Sequence, residues 1–353
     1  MQQSGLCLRV VSRLASRPRT VRPTCDAGGA VTALWQQAMI RIARTERVVD
    51  LVQRRELLAG LAGRFVAGPD VSSAIAQARR LKARGIGVTI FWLGEYVHDE
   101  ALVAESVRQL RGVAGALAAE GLDVHVSVDP TQAGMMTSAQ ELERNVTALA
   151  QCVDGARGCG PRGGRDVLMI DMEDSATTQP TLDLHARLQA QGLPVAVTVQ
   201  AYLHRSDADL RRLAASGAWV RLVKGALAEP PALAARRRAD IDARYRQGLA
   251  TLFSPQAREA GCRPSVASHD LRMIVEATAL ARRNGWRSAD FELEMLHGVR
   301  PDLQEALADK GFQVRAYLPF GRAWFPYAVR RVGESPRNLR FAATAVARTR
   351  ALG

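Results

Sequence analysis

Aromatic residues make up only 5% of this 353-residue chain, too few for an extended base-stacking surface. Cysteine is scarce as well. Cys7, Cys25, Cys152, Cys159 and Cys262 form an odd set with no C-x-x-C spacing, which argues against a disulfide framework and a structural zinc site and suits a reducing cytoplasm. No run of 18 apolar residues occurs and the mean hydropathy is −0.09, so no transmembrane helix is expected. His269 and His297 lie far apart without a carboxylate at ligand spacing, and no serine nucleophile elbow is present, so neither a metal centre nor a serine hydrolase is expected. The first 25 residues contain no acid but carry Arg9, Arg13, Arg17, Arg19 and Arg22. That composition resembles a transit peptide without the apolar core of a secretory signal, and it suits an unstructured extension equally well. Residues 1–30 are therefore set aside as a disordered extension.

What is present is a chain that is 47% hydrophobic with a formal net charge of +13. The hydrophobic fraction suffices for a large core. The charge raises the question of an anionic partner, but no RNA-binding, zinc-finger or basic-zipper pattern accompanies it, and no nucleic-acid partner is expected. A bias toward Ala and Arg explains most of the excess.

From residue 86 onward, short apolar runs alternate with amphipathic stretches. The runs Gly87–Leu93, Asp123–Val128, Val167–Met172, Pro194–Gln200, Ala218–Lys224, Pro264–Ser268, Asp290–Met295 and Gln313–Leu318 read as strands without strict alternation, as in parallel strands buried on both faces. Helix starts stand between them. Ser138-x-x-Glu141 and Ser206-x-x-Asp209 suit capping boxes, Asp270 suits an N-cap with Gly285 closing the same helix, and Pro301 suits a first helical position. Pro231–Phe253 reads as one long helix. Eight strand–helix repeats predict an α/β fold of the (β/α)8 type, a TIM barrel over 86–345, with an N-terminal helical arm over 31–85 (Ala33–Arg44, Arg47–Gly60, Ser72–Arg84). Gly158-x-Gly160-x-x-Gly163 matches a dinucleotide fingerprint by letters only: a helix precedes it and a strand follows, the reverse of what phosphate binding needs.

In such a barrel the active site lies at the C-terminal strand ends. Here those ends carry Glu95, Asp129-Pro130-Thr131-Gln132, Asp171-Met172-Glu173-Asp174, Gln200-Ala201-Tyr202, Arg221 with Lys224-Gly225-Ala226, Ser268-His269-Asp270, Glu292 with Glu294 and His297, and Tyr317-Leu318-Pro319-Phe320-Gly321. Arg221 and Lys224 are three apart and face opposite ways on an ideal strand, so a bulge or the strand's end is needed for both to reach one site. Lys224, with glycine after it, suits a Schiff-base lysine or a counter-charge to a reduced cofactor. Beyond the eighth strand, Tyr327-x-x-Arg330-Arg331-x-x-Glu334 puts an aromatic ring and two guanidinium groups on one helix face, a grip for a small carboxylate or a solvated basic face.

Taken in order, Leu93-Gly94-Glu95, Pro130-Thr131-Gln132, Asp171-Met172-Glu173-Asp174, Gln200-Ala201-Tyr202-Leu203, Val220-Arg221-Leu222-Val223-Lys224-Gly225-Ala226, Ser268-His269-Asp270, Phe291 to Gly298, Tyr317 to Gly321 and the Tyr327 segment resemble the proline dehydrogenase family, over roughly residues 35–340. The resemblance implies FAD as cofactor and oxidation of L-proline, or a proline-like imino acid, to 1-pyrroline-5-carboxylate by hydride transfer to flavin N5. It implies flavin contacts from Ile170, Gln200, Arg221, Lys224, Gly225, Ala226, Ser268 and His269, and catalytic roles for Asp171 and Arg221. Arg330 and Arg331 would clamp the substrate carboxylate with help from Lys224, Tyr317 and Tyr327 would wall the ring, and Glu95 would pair with Arg330 as a gate. It also implies a quinone electron acceptor. A basic, cytoplasmic protein of this kind would visit the inner membrane face peripherally. The chain leaves no room for the aldehyde dehydrogenase domain that some members carry, so a monofunctional enzyme is expected.

Three positions depart from the family pattern: Asp129 where lysine is usual, Leu227 where tyrosine is usual, and Asp270 where asparagine is usual. Asp129 reverses a charge near the site and leaves open a modified proline of specialised metabolism as the substrate. Two other classes also stay open: a lyase or aldolase working through Lys224, and a non-enzymatic basic binding protein.

Overall fold

The structure, a computed structural model, describes residues 64–94, 96–156, 165–324 and 327–328. The chain divides into two compact units, Ala67–Arg322 and a second made of Met1–Val66 with Ala323–Gly353. Expected helices Ala33–Arg44 and Arg47–Gly60, and the glycine-rich decoy, lie outside the described residues.

The first unit is a closed barrel of eight parallel strands in sequential order. It runs α1 (Val71–Lys82), β1 (Ile86–Trp92), α2 (Glu100–Ala119), β2 (His125–Val128), a 3₁₀ turn (Pro130–Gln132), α3 (Ala139–Gly155), β3 (Val167–Ile170), α4 (Thr178–Ala190), β4 (Val195–Gln200), α5 (Ser206–Ala215), β5 (Trp219–Val223), α6 (Arg238–Leu252), α7 (Pro255–Glu259), β6 (Arg263–Ala267), α8 (Leu271–Arg283), β7 (Glu292–Leu296), α9 (Pro301–Ala308) and β8 (Val314–Phe320). Seven register pairs, from Ile86↔Val314 to Trp92↔Phe320, close β1 onto β8. Every expected strand is present, with its ends within a few residues of the expected ones.

Alternation along the strands divides the side chains into two sets. Ile86, Val88 and Ile90, Val126 and Val128, Leu168 and Ile170, Val195, Val197 and Val199, Val220 and Leu222 join the large apolar core under the helices. The intervening residues fill the barrel, where a small apolar cluster of Val167, Met169, Ala196 and Trp219 forms. The rest of the interior is unusually polar for a barrel: Thr89, His125, Ser127, Thr198, Arg221, Ser265, Glu292, Glu294 and Arg315 are all buried. Low in the barrel, Arg315 donates from Nε and Nη2 to both oxygens of Glu292 (2.8 and 2.7 Å), from Nη1 to Val88 O and from Nη2 to Asp123. Arg165 adds a second cation 3.0 Å from Glu292. Buried guanidinium and carboxylate groups persist only when paired this completely.

Helix termini follow the sequence signals with two exceptions. Ser138 Oγ accepts from Glu141 N, Asp270 caps α8 through Arg272 N, Gly285 follows that helix at φ +75°, and Pro301 starts α9. Ser206, however, is no cap. Its hydroxyl is turned back to Gln200 O at 2.6 Å, and Asp209 pairs with Arg205 and Arg212. The expected helix Pro231–Phe253 begins only at Arg238, because Ala234 bridges back to Leu203 and Ala235 N donates to Tyr202 O. Helix α1, placed in an N-terminal arm by sequence, belongs to the barrel unit, where Ala74, Ile75, Ala78 and Leu81 join its core.

His185 on α4 is fully buried, and burial pushes its imidazole down to about 4, against an opposing contribution from the Val195 backbone. The unfolded chain, with an ordinary histidine near 6.5, then binds more protons between those values. Stability is expected to fall by up to about 3 kcal/mol as pH drops from neutrality through 4. Urea unfolding at a series of pH values checks this, and His185→Gln should flatten that part of the profile.

Candidate active site

The upper interior is organised around Arg221, which β5 points into the barrel and which is 3% exposed. Its Nε donates to Glu294 Oε2 and its Nη1 to Asp171 Oδ1, both at 2.6 Å. Further bonds reach Ser127 Oγ (3.1 Å) and Thr89 Oγ1 (3.4 Å). The guanidinium carbon lies 5.3 Å from the centroid of the Tyr317 ring, within cation–π range. Burial works against the charge, but Glu294 and Asp171 outweigh it and hold Arg221 protonated. The guanidinium is thus fixed in place by strands β1, β2, β5, β7 and β8 and by the residue that follows β3.

Asp171 is equally constrained. Its Oδ2 accepts from Ser127 Oγ at 2.6 Å and Tyr317 Oη at 3.0 Å, and its Oδ1 from Thr198 Oγ1 at 2.7 Å besides Arg221. Four donors leave the carboxylate little freedom to rotate. The three hydroxyl partners, Ser127, Thr198 and Tyr317, and the second acid, Glu294, follow from strand alternation. Ser127 and Thr198 carried no motif, and only their inward phase could have found them.

Around this centre, Gln200 donates from Nε2 to Met172 O at 3.3 Å, while its buried Oε1 has no hydrogen-bond partner among the described residues. Gly225 follows β5 at φ +96°, and a Cβ there would stand 2.1 Å from the Tyr202 ring. Both the backbone angle and the ring require glycine. Gly225→Ala is expected to destabilise by roughly 1–3 kcal/mol, measured by urea unfolding. Ser268 Oγ accepts from Asp270 N at 3.1 Å, and His269 Nε2 accepts from Leu296 N at 3.4 Å. Next to β2, Glu173 takes the Thr131 backbone N–H, and Gln132 Nε2 donates to Trp92 O at 2.6 Å, tying the ends of β1, β2 and β3 together. Asp129, 8% exposed, follows β2 in extended conformation, two residues beyond Ser127.

Two further residues of the expected set lie off the inward phase of Arg221. The Ile170 side chain belongs to the outer core. Lys224, on the opposite phase from Arg221, is bonded by Asp242 of α6 and Asp270 at the start of α8, with Arg272 bridging the same two acids. Ala226 lies in the loop after β5. Glu95, Arg330, Arg331 and Glu334 lie outside the described residues. Tyr327 is described but belongs to the second unit.

With this geometry in view, comparison with known proteins is specific. The profile of the family described as proline dehydrogenase matches residues 74–344. Proline dehydrogenase 2 of Bacillus subtilis is 31% identical over 281 residues, covering 80% of this chain and 88% of the relative. Proline dehydrogenase of Deinococcus radiodurans is 32% identical over 313 residues, covering 88% and 97%. Among solved structures, proline utilization A (PutA) from Bdellovibrio bacteriovorus superposes with a TM-score of 0.72 at 18% identity, over 93% of this chain. The chain spans only 41% of that much longer protein. PutA from Corynebacterium freiburgense gives 0.66 at 20% identity, over 89% of this chain and 34% of its own. The PutA likenesses speak for the barrel, and the family profile and the bacterial relatives for the lineage: the chain belongs to the proline dehydrogenase family, a family of oxidoreductases.

Proposed function

We propose that this chain oxidises L-proline to 1-pyrroline-5-carboxylate with FAD bound at the C-terminal mouth of the barrel. The observation that carries the reading is Arg221, a buried cation fixed between Asp171 and Glu294 beneath Tyr317. The residues present suit a flavin. Gln200 Oε1 is a buried acceptor left unpaired at the end of β4, where a ring N–H would satisfy it. Gly225 lets the backbone lie close against Tyr202. Gln200, Arg221, Ser268, His269 and the Lys224–Ala226 loop would hold the cofactor. When bound, FAD supplies the two-electron acceptor, taking hydride at N5 from the ring carbon beside the substrate nitrogen.

The chain's own residues do the rest. Arg221 places fixed positive charge where the accepted electrons add negative charge, and needs no reorganisation to do so. Asp171 holds Arg221 and Tyr317 in one orientation. The apolar face of Tyr317 suits a five-membered ring and helps exclude water. Arg330 and Arg331 would grip the carboxylate bidentately. Glu95 would gate, Tyr327 would complete the wall, and Lys224, tied to two acids, would act through charge at a distance. Two donors of Lys224 are engaged by Asp242 and Asp270, which disfavours the Schiff-base reading: borohydride with substrate should not trap an adduct at Lys224.

The test is the visible spectrum of the purified protein before and after anaerobic L-proline. A yellow protein that bleaches supports the reading, and a colourless protein that cannot be loaded with flavin overturns it. A yellow protein indifferent to proline favours the second reading, a modified proline, which rests on Asp129. A buried acid just beyond β2 opposes a free substrate carboxylate and suits a masked one. A membrane-bound quinone is the acceptor we propose, reached peripherally through the basic surface. No described helix is long and apolar enough to cross a membrane.

A further inference from the structure

Two buried atoms beneath Arg221 are left over by the network described above. Glu294 Oε2 accepts from Arg221, but Glu294 Oε1 has no hydrogen-bond partner among the described residues, and neither has His125 Nε2. His125, on β2, is completely buried and stacks edge-on against Trp219. One ring nitrogen of His125 and one oxygen each of Glu292 and Glu294 lie within 4.8 Å of one another.

A metal ion does not suit this triangle. Both oxygens of Glu292 are already taken by Arg315, and Arg165, Arg221 and Arg315 surround the group with positive charge. Hydrogen-bond polarity shows what does suit it. Arg221 can only donate, so Thr89 Oγ1 accepts from Nη2, and Thr89 Oγ1 also lies 3.1 Å from His125 Nδ1, a bond whose direction follows the imidazole tautomer. In the tautomer in which Thr89 donates to Nδ1, the single ring proton of the neutral imidazole sits on Nε2. Arg221, Thr89, His125 and Glu294 then form a ring of polar groups open between Nε2 and Oε1, with Ser265 on β6 a further hydrogen-bonding neighbour of Glu294. Burial and the surrounding arginines keep His125 neutral, which leaves the carboxyl of Glu294 as the group in the ring that takes a further proton.

We propose that Glu294, with His125 beside it, is a redox-linked proton site under Arg221: it binds one proton when the cofactor above is reduced and releases it on reoxidation. This rests on the flavin reading given above. The balance is simple. The cofactor accepts two electrons and one proton as hydride from the substrate. One further proton passes from solvent to the Glu294 carboxylate, and no other electron moves. Negative charge gained near Arg221 raises the proton affinity of Glu294 through Coulomb repulsion. Once Glu294 is neutral, Arg221 no longer divides its charge between two carboxylates. The other groups facing Glu294 are Asp171 after β3, Ser265 on β6, Glu292 on its own strand, and Arg315 and Tyr317 on β8. Burial and Glu292 already hold Glu294 above the usual carboxylate range despite Arg221, whereas burial and then Arg315, Arg221 and Arg165 keep His125 neutral. Glu294 is a positioning residue in this scheme, acting through Arg221.

The test is a spectroelectrochemical titration of the flavin-loaded protein as a function of pH. Each proton taken up with two electrons contributes about 30 mV per pH unit. The wild type should show an interval of roughly twice that slope, and Glu294→Gln should lose the interval and have a higher potential. Infrared difference spectra on reduction should gain a carboxylic-acid carbonyl band that shifts with ¹³C-glutamate, a readout that needs no substitution. A single slope in the wild type with no such band overturns the proposal, and so does a steep interval that survives in Glu294→Gln, which places the second proton elsewhere. A protein that takes up no flavin overturns the functional reading and this proposal with it; loaded protein that bleaches with proline but shows a single slope and no band overturns this proposal alone.

Discussion

Arg221→Met is expected to lower the unfolding free energy by about 3–5 kcal/mol and to leave the remaining folded protein unreactive toward proline. The stability loss follows from what the substitution strands. Asp171 keeps three hydroxyl donors, but Glu294 loses its one guanidinium hydrogen bond among the described residues, and both carboxylates are buried. An uncompensated buried charge costs far more than the pair contributed. The loss of reactivity follows from position: the deleted cation is the one placed by six elements at the mouth of the barrel. Urea unfolding measures the first effect, and anaerobic bleaching by proline measures the second. Retention of full proline-driven bleaching in the methionine variant would remove Arg221 from the centre of the site.

Arg315→Met should destabilise by a similar amount, about 3–5 kcal/mol, without that second effect. Arg315 is the largest fully buried side chain in the described structure, and it neutralises Glu292 through two bonds while holding Val88 O and Asp123. Its layer lies toward the N-terminal end of β8, two residues before Tyr317, where barrel residues serve stability rather than chemistry. Folded Arg315→Met protein should therefore still bleach with proline. Double replacement of Arg315 by Met and Glu292 by Leu should recover much of the loss, since apolar residues of similar volume often replace a buried ion pair without penalty. Denaturant midpoints of the two single variants and the double variant test this coupling. A bleaching defect in folded Arg315→Met would instead show that the lower layer sets the position of Arg221.

How far the sequence was legible depended on whether a local rule or a distant contact decided each feature. Strand positions were readable because buried parallel strands must be apolar runs of a certain length. The N-caps at Ser138 and Asp270 were readable because capping uses atoms three residues apart or fewer. The start of α6 was not, because nothing within Pro231–Arg237 forbids helix. A turn over Pro231–Leu233 and the pairing of Ala234 with Leu203 keep that segment out of the helix. Ser206 was misread for a related reason: its hydroxyl has a better partner in the end of β4, Gln200 O, than in its own helix.

Sequence alone determined that eight strands alternate with helices, that their ends carry polar groups, and which residues along each strand share a face, because all of these follow from period and composition. It marked Asp171, Arg221 and Tyr317 as site residues by motif. Only the tertiary structure decided that these three form one bonded unit with Thr89, Ser127, Thr198 and Glu294, that Lys224 turns to Asp242 and Asp270, and that His125 lies beside Glu294. The reason is geometric. Alternation tells which way a side chain points, but the level at which it meets residues from other strands is set by barrel closure and stagger. Here that closure is the pairing of β1 with β8, a contact between residues more than 220 positions apart that no local pattern encodes.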